Sequence, residues 1–209
     1  MTEEEARENI AARVSRETLQ RLETYEDLLR RWQPAVNLVG AATLKFIWRR
    51  HFLDSLQVFD MVPDAQGVWL DLGSGAGFPG LVCAIAAKER SLDLEFELVE
   101  SDVRKCAFIR EVARQTATDI RVHNMRIERL APRSARIISA RALAPLPRLL
   151  ELAAPHLRPD GICVFQKGAS YRDELETASA HWQMNAEILP SVTASESVIL
   201  RIRNLAHAS

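Results

Sequence analysis

Residues 68–80 read VWLDLGSGAGFPG, and the types and spacing in this stretch suit the holding of a ligand. Gly73, Gly75 and Gly77 alternate with the small residues Ser74 and Ala76, and an acid, Asp71, precedes them. A backbone without Cβ atoms can turn at positive φ and approach a ligand closely. A helix starting just after the turn, near Phe78, would aim unbonded N–H groups at that ligand. Glu100 lies twenty residues beyond Gly80, where an acid that accepts from two vicinal ribose hydroxyls belongs. It could instead favour a helix dipole, a part open to Asp102 as well.

The stretch fits two patterns. Residues 75–80 satisfy GxGxxG, the dinucleotide fingerprint. Asp71-x-Gly73-x-Gly75-x-Gly77 resembles instead the first motif of S-adenosylmethionine (SAM) methyltransferases. Asp71 stands at the strand's end before the turn, whereas a dinucleotide site usually starts its glycines directly there. Pro79 suits a helix's first turn, where no N–H bond is lost. SAM also has no pyrophosphate that would need the helix N-terminus. These points favour SAM. A glycine turn with no ligand is the bland alternative.

Other residue types narrow the chemistry. Cys83, Cys106 and Cys163 form no CxxC and lie far apart, so neither a disulfide framework nor zinc is suggested, and no metal is expected. The five histidines lack metal spacing. The loop after the fourth expected strand reads Ser139-Ala140-Arg141-Ala142-Leu143. It lacks the Asp/Asn-Pro-Pro-aromatic run of amino-group DNA methyltransferases. Methylation at a pyrimidine C5 needs a cysteine nucleophile, and no cysteine falls at the strand edge. An acceptor that already carries a lone pair remains, such as guanine N7. A nicotinamide oxidoreductase would need a hydride-handling residue, and no Tyr-x-x-x-Lys pair is present.

The elements that must position these groups follow from periodicity and breakers. Thr2-x-x-Glu5 has the form of a capping box and starts a first helix. A second runs over residues 15–32, ended by Pro34, and 37–40 form a connector. A third covers 43–61, and 63–67 form a turn. Strands at 68–71, 95–99, 120–123, 136–139 and 162–166 then alternate with helices near 78–88, 102–115, 145–154 and 170–181. The last two strands, 187–189 and 198–203, have no helix between them and form a hairpin. This is an α/β pattern with a mostly parallel sheet. It predicts a Rossmann-like, SAM-dependent methyltransferase fold of seven strands with a terminal antiparallel hairpin. Residues 1–66 form an N-terminal helical extension, and 67–209 one compact unit.

Net charge is −1 over 209 residues, which by itself does not suggest a nucleic-acid binder. Residues 101–158, however, hold 12 basic and 5 acidic side chains, nearly all of the former Arg. Arg pairs with phosphate bidentately and stacks on bases, although a solvated helix face would show the same excess. The acidic start Thr2-Glu3-Glu4-Glu5 and the lack of a long apolar run exclude secretion and membrane spanning and favour the cytoplasm.

The chain resembles the bacterial small-subunit (16S) ribosomal RNA guanine-N7 methyltransferases, the glucose-inhibited division protein B family. The likeness rests on Trp32-x-x-x-x-Asn37-Leu38, Arg50-His51-Phe52-Leu53-Asp54-Ser55-Leu56, the glycine stretch through Phe78-Pro79-Gly80, Glu100-Ser101, Lys105 with Phe108, Arg126-x-Glu128, Ser139-Ala140-Arg141-Ala142 and Lys167-Gly168. It departs after Asn37-Leu38, where Val39-Gly40 replaces the family's Thr. The resemblance implies SAM-dependent methylation at N7 of one guanine in a loop of that RNA, free or in its ribonucleoprotein, by a monomer. Asp71, Gly73, Ser74, Gly75, Gly77 and Phe78 would then hold the cofactor's methionine part, Glu100 its ribose, and Ile127 and Glu128 would flank the adenine. Arg126, Arg141 and Lys167 would face cofactor or RNA. Asn37, His51, Asp54 and Ser55 would sit over the pocket on the acceptor side, with no general base required. His51 and Asp54 stand i, i+3 and could as well bond each other or tie the extension to the sheet. A methyltransferase of another nucleic acid or a small molecule, and a non-catalytic SAM-binding ribosome factor, are the alternatives.

Overall fold

The structure is a computed structural model that describes residues 1–63, 66–90 and 93–208. The turn expected at 63–67 lies partly outside the described residues. The strands are β1 (Gly67–Leu72), β2 (Leu94–Glu100), β3 (Arg121–Asn124), β4 (Ala135–Arg141), β5 (Leu157–Lys167), β6 (Trp182–Pro190) and β7 (Val198–His207). They form one sheet in the order β3-β2-β1-β4-β5-β7-β6. Strands β1 to β5 pair in parallel, and β7 runs antiparallel to both β5 and β6. The expected hairpin is present, with both strands longer than periodicity indicated.

Side chains alternate across a strand, and two apolar clusters result. Trp69, Leu98, Ile137 and Val164 face one way, onto helices α1 (Glu3–Ala11), α2 (Arg16–Val36), α3 (Asp54–Asp60), α4 (Gly80–Ala87) and α5 (Val103–Gln115). Leu70, Leu72, Ile138 and Phe165 face the other way, onto α6 (Leu146–Ala153) and α7 (Tyr171–Ser179). Covering on both faces explains why the parallel strands are near-continuously apolar. The first cluster also joins the N-terminal helices to the sheet: Tyr25, Phe52, Phe59, Trp69 and Leu81 belong to it together. No described helix is long and apolar enough to cross a membrane.

Two expectations about the extension need correction. Pro34 does not end the second helix; it lies inside α2, which continues to Val36. So near the end, a proline forfeits only the bond to a carbonyl one turn back, and the helix stops where Asn37 takes a left-handed conformation at φ 50°. The third helix is not uniform. A 3-10 segment (Ala41–Phe46) and a π-helical turn (Trp48–Leu53) precede the short α3. Glu3 of α1 accepts from the Trp48 and Arg49 amides at the π turn's start, at 2.6 and 3.1 Å. Its carboxylate thus satisfies donors that a helix start leaves free.

Candidate active site

The strand order reverses between β1 and β4, and ligands of open α/β sheets bind beyond the strand ends at such a point. A cavity of about 450 Å³ opens there, walled by the glycine turn, the ends of β4 and β5, the 38–43 connector and the start of β7. Gly75 lines it at φ +58°, and a Cβ built there would meet nothing nearer than Gly73 O at 4.0 Å. The missing side chain is therefore room on the cavity side. Helix α4 starts at Gly80, two residues later than expected, with Pro79 at its cap position.

Asp71 is fully buried under this turn. The Ser139 hydroxyl donates to its Oδ1 at 2.6 Å and accepts from Trp69 Nε1 at 2.9 Å. Among the described residues its Oδ2 has no hydrogen-bond partner, and it faces Gly80, where an added Cβ would stand 2.8 Å away. Burial, only partly offset by the Ser139 hydroxyl and by the weaker pull of Ser74, the Gly80 amide and the Arg141 charge, pushes the Asp71 carboxyl up to about 6. Ser74 is itself buried and donates to Asp71 O at 3.1 Å.

Glu100 ends β2 with its carboxylate already ordered: Oε2 accepts from Gly75 N at 2.9 Å and Oε1 from Asp102 N at 2.8 Å. A carboxylate offers about four lone-pair sites, so acceptor capacity remains for hydroxyls. Asp102 caps α5, its Oδ1 accepting from the Arg104 and Lys105 amides. Ile127 is buried in a short 3-10 turn (Ile127–Arg129), whereas Glu128 is exposed and pairs with Arg148 at 2.8 Å. Arg126 is exposed at the cap of that turn.

On the opposite wall, Arg141 is held by its own protein. Its Nη1 donates to Arg50 O at 2.9 Å and lies 3.7 Å from Asp54 Oδ2. Its Nη2 is 2.9 Å from His51 Nδ1, and its Cζ stands 4.9 Å from the Phe78 ring centroid. Arg can only donate, so His51 Nδ1 is an acceptor and the ring's proton sits on Nε2. That Nε2–H donates to Thr43 Oγ1 at 3.0 Å, and the Thr43 hydroxyl donates to Gly40 O at 2.8 Å. Burial, with Arg141 and Arg50 adding to it, lowers the His51 pKa to about 3, so the ring is neutral.

His51 and Asp54 share no hydrogen bond among the described residues. Asp54 ties the extension to the sheet instead: Gln166 Nε2 donates to its Oδ2 at 2.6 Å and its O at 2.9 Å, and Thr193 Oγ1 to its Oδ1 at 2.8 Å. Ser55 does not face the cavity. It is fully buried and bonds back to His51 O at 2.6 Å, as a Ser one turn on in a helix commonly does. Asn37 is exposed outside the cavity as the α2 cap, while its neighbours Leu38, Val39 and Gly40 line it. Lys167 lines the cavity but is no free cation, since its Nζ pairs with Glu174 at 2.5 Å and donates to Ala144 O at 3.0 Å.

Sequence reasoning missed Tyr25, Gln33, Thr43, Gln166 and the structural part of Ser139. Gln33 fixes the connector by accepting from the Leu38 and Val39 amides at 2.9 and 3.0 Å and donating to Val39 O at 2.7 Å. A polar Gln just before the helix-ending Pro-Ala-Val was the one available signal. Tyr25, Gln166 and Ser139 meet partners far along the chain and had none, and Thr43 meets Gly40 and His51 only through the irregular turns between them.

A glycine-cradled cavity at the switch point of a seven-stranded sheet with a terminal antiparallel hairpin is the architecture of the SAM-dependent methyltransferase class. A crystal structure of such an enzyme from Aquifex aeolicus has the same fold, with a TM-score of 0.59 at 12% identity, covering 79% of this chain and 94% of that one. Residues 18–205 match the family profile of rRNA small subunit methyltransferase G (GidB), and the chain belongs to that family. The ribosomal RNA small subunit methyltransferase G of Cereibacter sphaeroides is 49% identical over 99% of this chain and 100% of its own length. That of Rhodospirillum centenum is 51% identical over 92% and 87%.

Proposed function

We propose that the protein methylates N7 of a guanine presented in an unpaired or flipped-out segment of small-subunit ribosomal RNA. The observation that carries this is His51: the histidine lining the cavity is neutral, and its acceptor nitrogen is already filled by Arg141. The lining carboxylates Asp54 and Glu174 are engaged too, and all three cysteines are buried as free thiols, Cys163 pushed up beyond the reach of neutral pH. No free base or nucleophile therefore meets the cavity among the described residues. An acceptor with its own in-plane lone pair, as guanine N7 has, needs neither.

SAM suits this end of the sheet: the cavity is of ligand size, Gly75 leaves it open on the turn side, and Glu100, which does not line the cavity but accepts from the Gly75 amide, retains acceptor capacity. Gly73, Ser74, Gly75 and Phe78 would hold the methionine part, Glu100 the ribose, and the buried Ile127 the adenine side. When bound, SAM supplies an electrophilic methyl group. The chain's own work is alignment, a source worth about 7–11 kcal/mol. Asp71 and Ser139 brace the turn from below, and Arg141, pinned by His51, Arg50 O and Asp54, gives the acceptor side a fixed positive wall. Leu38, Val39, Val198 and Ile199 give the cavity an apolar stretch of wall. N7 lies deep in an A-form major groove that side chains enter poorly, so the target must be exposed in a loop or extruded. The reading implies a monomer in the cytoplasm, where ribosomal subunits form.

Single-turnover rates on pre-bound RNA should stay nearly level from mildly acidic to mildly alkaline pH, and the product should show the alkali-labile glycosidic bond of a cationic purine at one position. His51→Gln, which can mimic both hydrogen bonds, should retain most of the rate. Loss of a true general base would lower it about 10²–10⁴-fold. A clear ionisation limb, or a methyl group on carbon or an exocyclic amine, sinks the assignment.

A further inference from the structure

We propose that Tyr25, in the helical extension, is a positioning residue for the cofactor turn. This rests on the SAM-binding reading above and extends the site to an element outside the glycine motif. Tyr25 is fully buried on α2. Its hydroxyl donates to Ala76 O in the middle of the turn, and no other described donor reaches that carbonyl. A buried carbonyl that loses its only donor bears the cost of an unmet hydrogen bond. The turn is also shaped around this hydroxyl. A Cβ on Gly77, which sits at φ +98°, would come within 2.6 Å of the Tyr25 oxygen.

The contact continues through Phe78. The Tyr25 ring stacks on it at 5.2 Å between centroids and 3° between planes. His51 lies 4.9 Å from the same ring, and Arg141 Cζ also 4.9 Å. One aromatic thus joins the extension, the turn and the acceptor-side cation. Burial raises the Tyr25 hydroxyl's pKa well above its usual value, so the group remains a donor throughout the working pH range.

Tyr25→Phe in the full-length protein is the test, because it keeps the ring and its stacking and deletes only the donor. Amide hydrogen exchange at residues 75–78, measured without ligand, should quicken. Calorimetry should find SAM bound about tenfold more weakly, the scale of one buried hydrogen bond left unmade, with the KM for RNA within about twofold of wild type. Ile10→Ala removes a fully buried side chain elsewhere in the extension. It should lower the melting temperature yet leave SAM affinity and turn exchange unchanged. Wild-type affinity and exchange in Tyr25→Phe would overturn the proposal, as would equal weakening by Ile10→Ala. If the wild type bound no SAM while Tyr25→Phe still quickened turn exchange, the methyl-transfer reading would fall and the anchoring of the turn would stand.

Discussion

At Asp71, charge and burial are in conflict. A carboxyl with one donor and a partnerless second oxygen, wholly out of water, favours its protonated form. Because its folded pKa of about 6 lies above the ordinary 3.8, its contribution to stability is full below about pH 4 and is lost as pH rises through 6. Asp71→Asn, which can still accept from Ser139, removes that dependence. The unfolding free energy of the variant minus that of wild type, read from urea denaturation, should therefore grow between pH 4.5 and 7.5, toward a difference of roughly 3 kcal/mol. A gap that does not change with pH would show that Asp71 titrates normally. At Gly75 the argument is steric: Gly75→Val places a branched side chain at φ +58° into the cavity. SAM binding should be undetectable by calorimetry while the protein remains folded by circular dichroism.

Elements matter here chiefly through their ends. Helix α2 delivers Gln33 to the amides of Leu38 and Val39, and these two residues form part of the cavity wall. Gln33→Leu removes three hydrogen bonds at once and should cost about 2 kcal/mol, read as a lower denaturant midpoint. Exchange at residues 38–40 should quicken, and SAM affinity should change less than in Tyr25→Phe. Across the cavity, Gln166 at the end of β5 secures Asp54 at the start of α3. Gln166→Leu leaves the Asp54 carboxylate beside Arg141 with Thr193 as its main remaining partner. Turnover should fall through a looser Arg141, with little loss of SAM binding. A kcat unchanged in this variant would mean that the Asp54 tie is structural alone.

At the scale of the whole molecule, the basic excess of residues 101–158 is mostly used internally. Arg121 and Arg133 pair with the buried Glu97, Arg114 with Glu111, Arg148 with Glu128 and Glu151, and Arg136 and Arg158 with Asp160. Among the described residues Lys105, Arg110, Arg126 and Arg129 form no ion pair, and the last two share one exposed turn after β3. RNA affinity should fall steeply with salt, and Arg126→Ala or Arg129→Ala should each flatten the slope by about one contact. Arg121→Ala should leave the slope unchanged. Arg141→Ala should instead lower turnover sharply, because it removes the pinned cation on the acceptor side. An affinity flat across ionic strength would show that these cations are only solvated surface.

The amino-acid order alone determined the βα alternation, the glycine turn, its preceding acid and the terminal hairpin, because each depends on neighbours within a few residues: side-chain period, Cβ-free turns, caps and breakers. It also marked Glu100 and Arg141 at strand ends, since the edge that holds a ligand follows from strand order. It misjudged Pro34, whose cost depends on how near the helix end lies, and the 43–61 segment, where packing against Glu3 and the sheet overrides helical periodicity. Only the tertiary structure decided what the polar residues do. Ser55 turned inward and Lys167 found Glu174, and His51 gained its tautomer from an arginine 90 residues away. Tyr25 and Gln166 reach partners 51 and 112 residues distant. Hydrogen bonds are made by whichever groups the fold brings within about 3 Å, and sequence spacing carries no record of that approach.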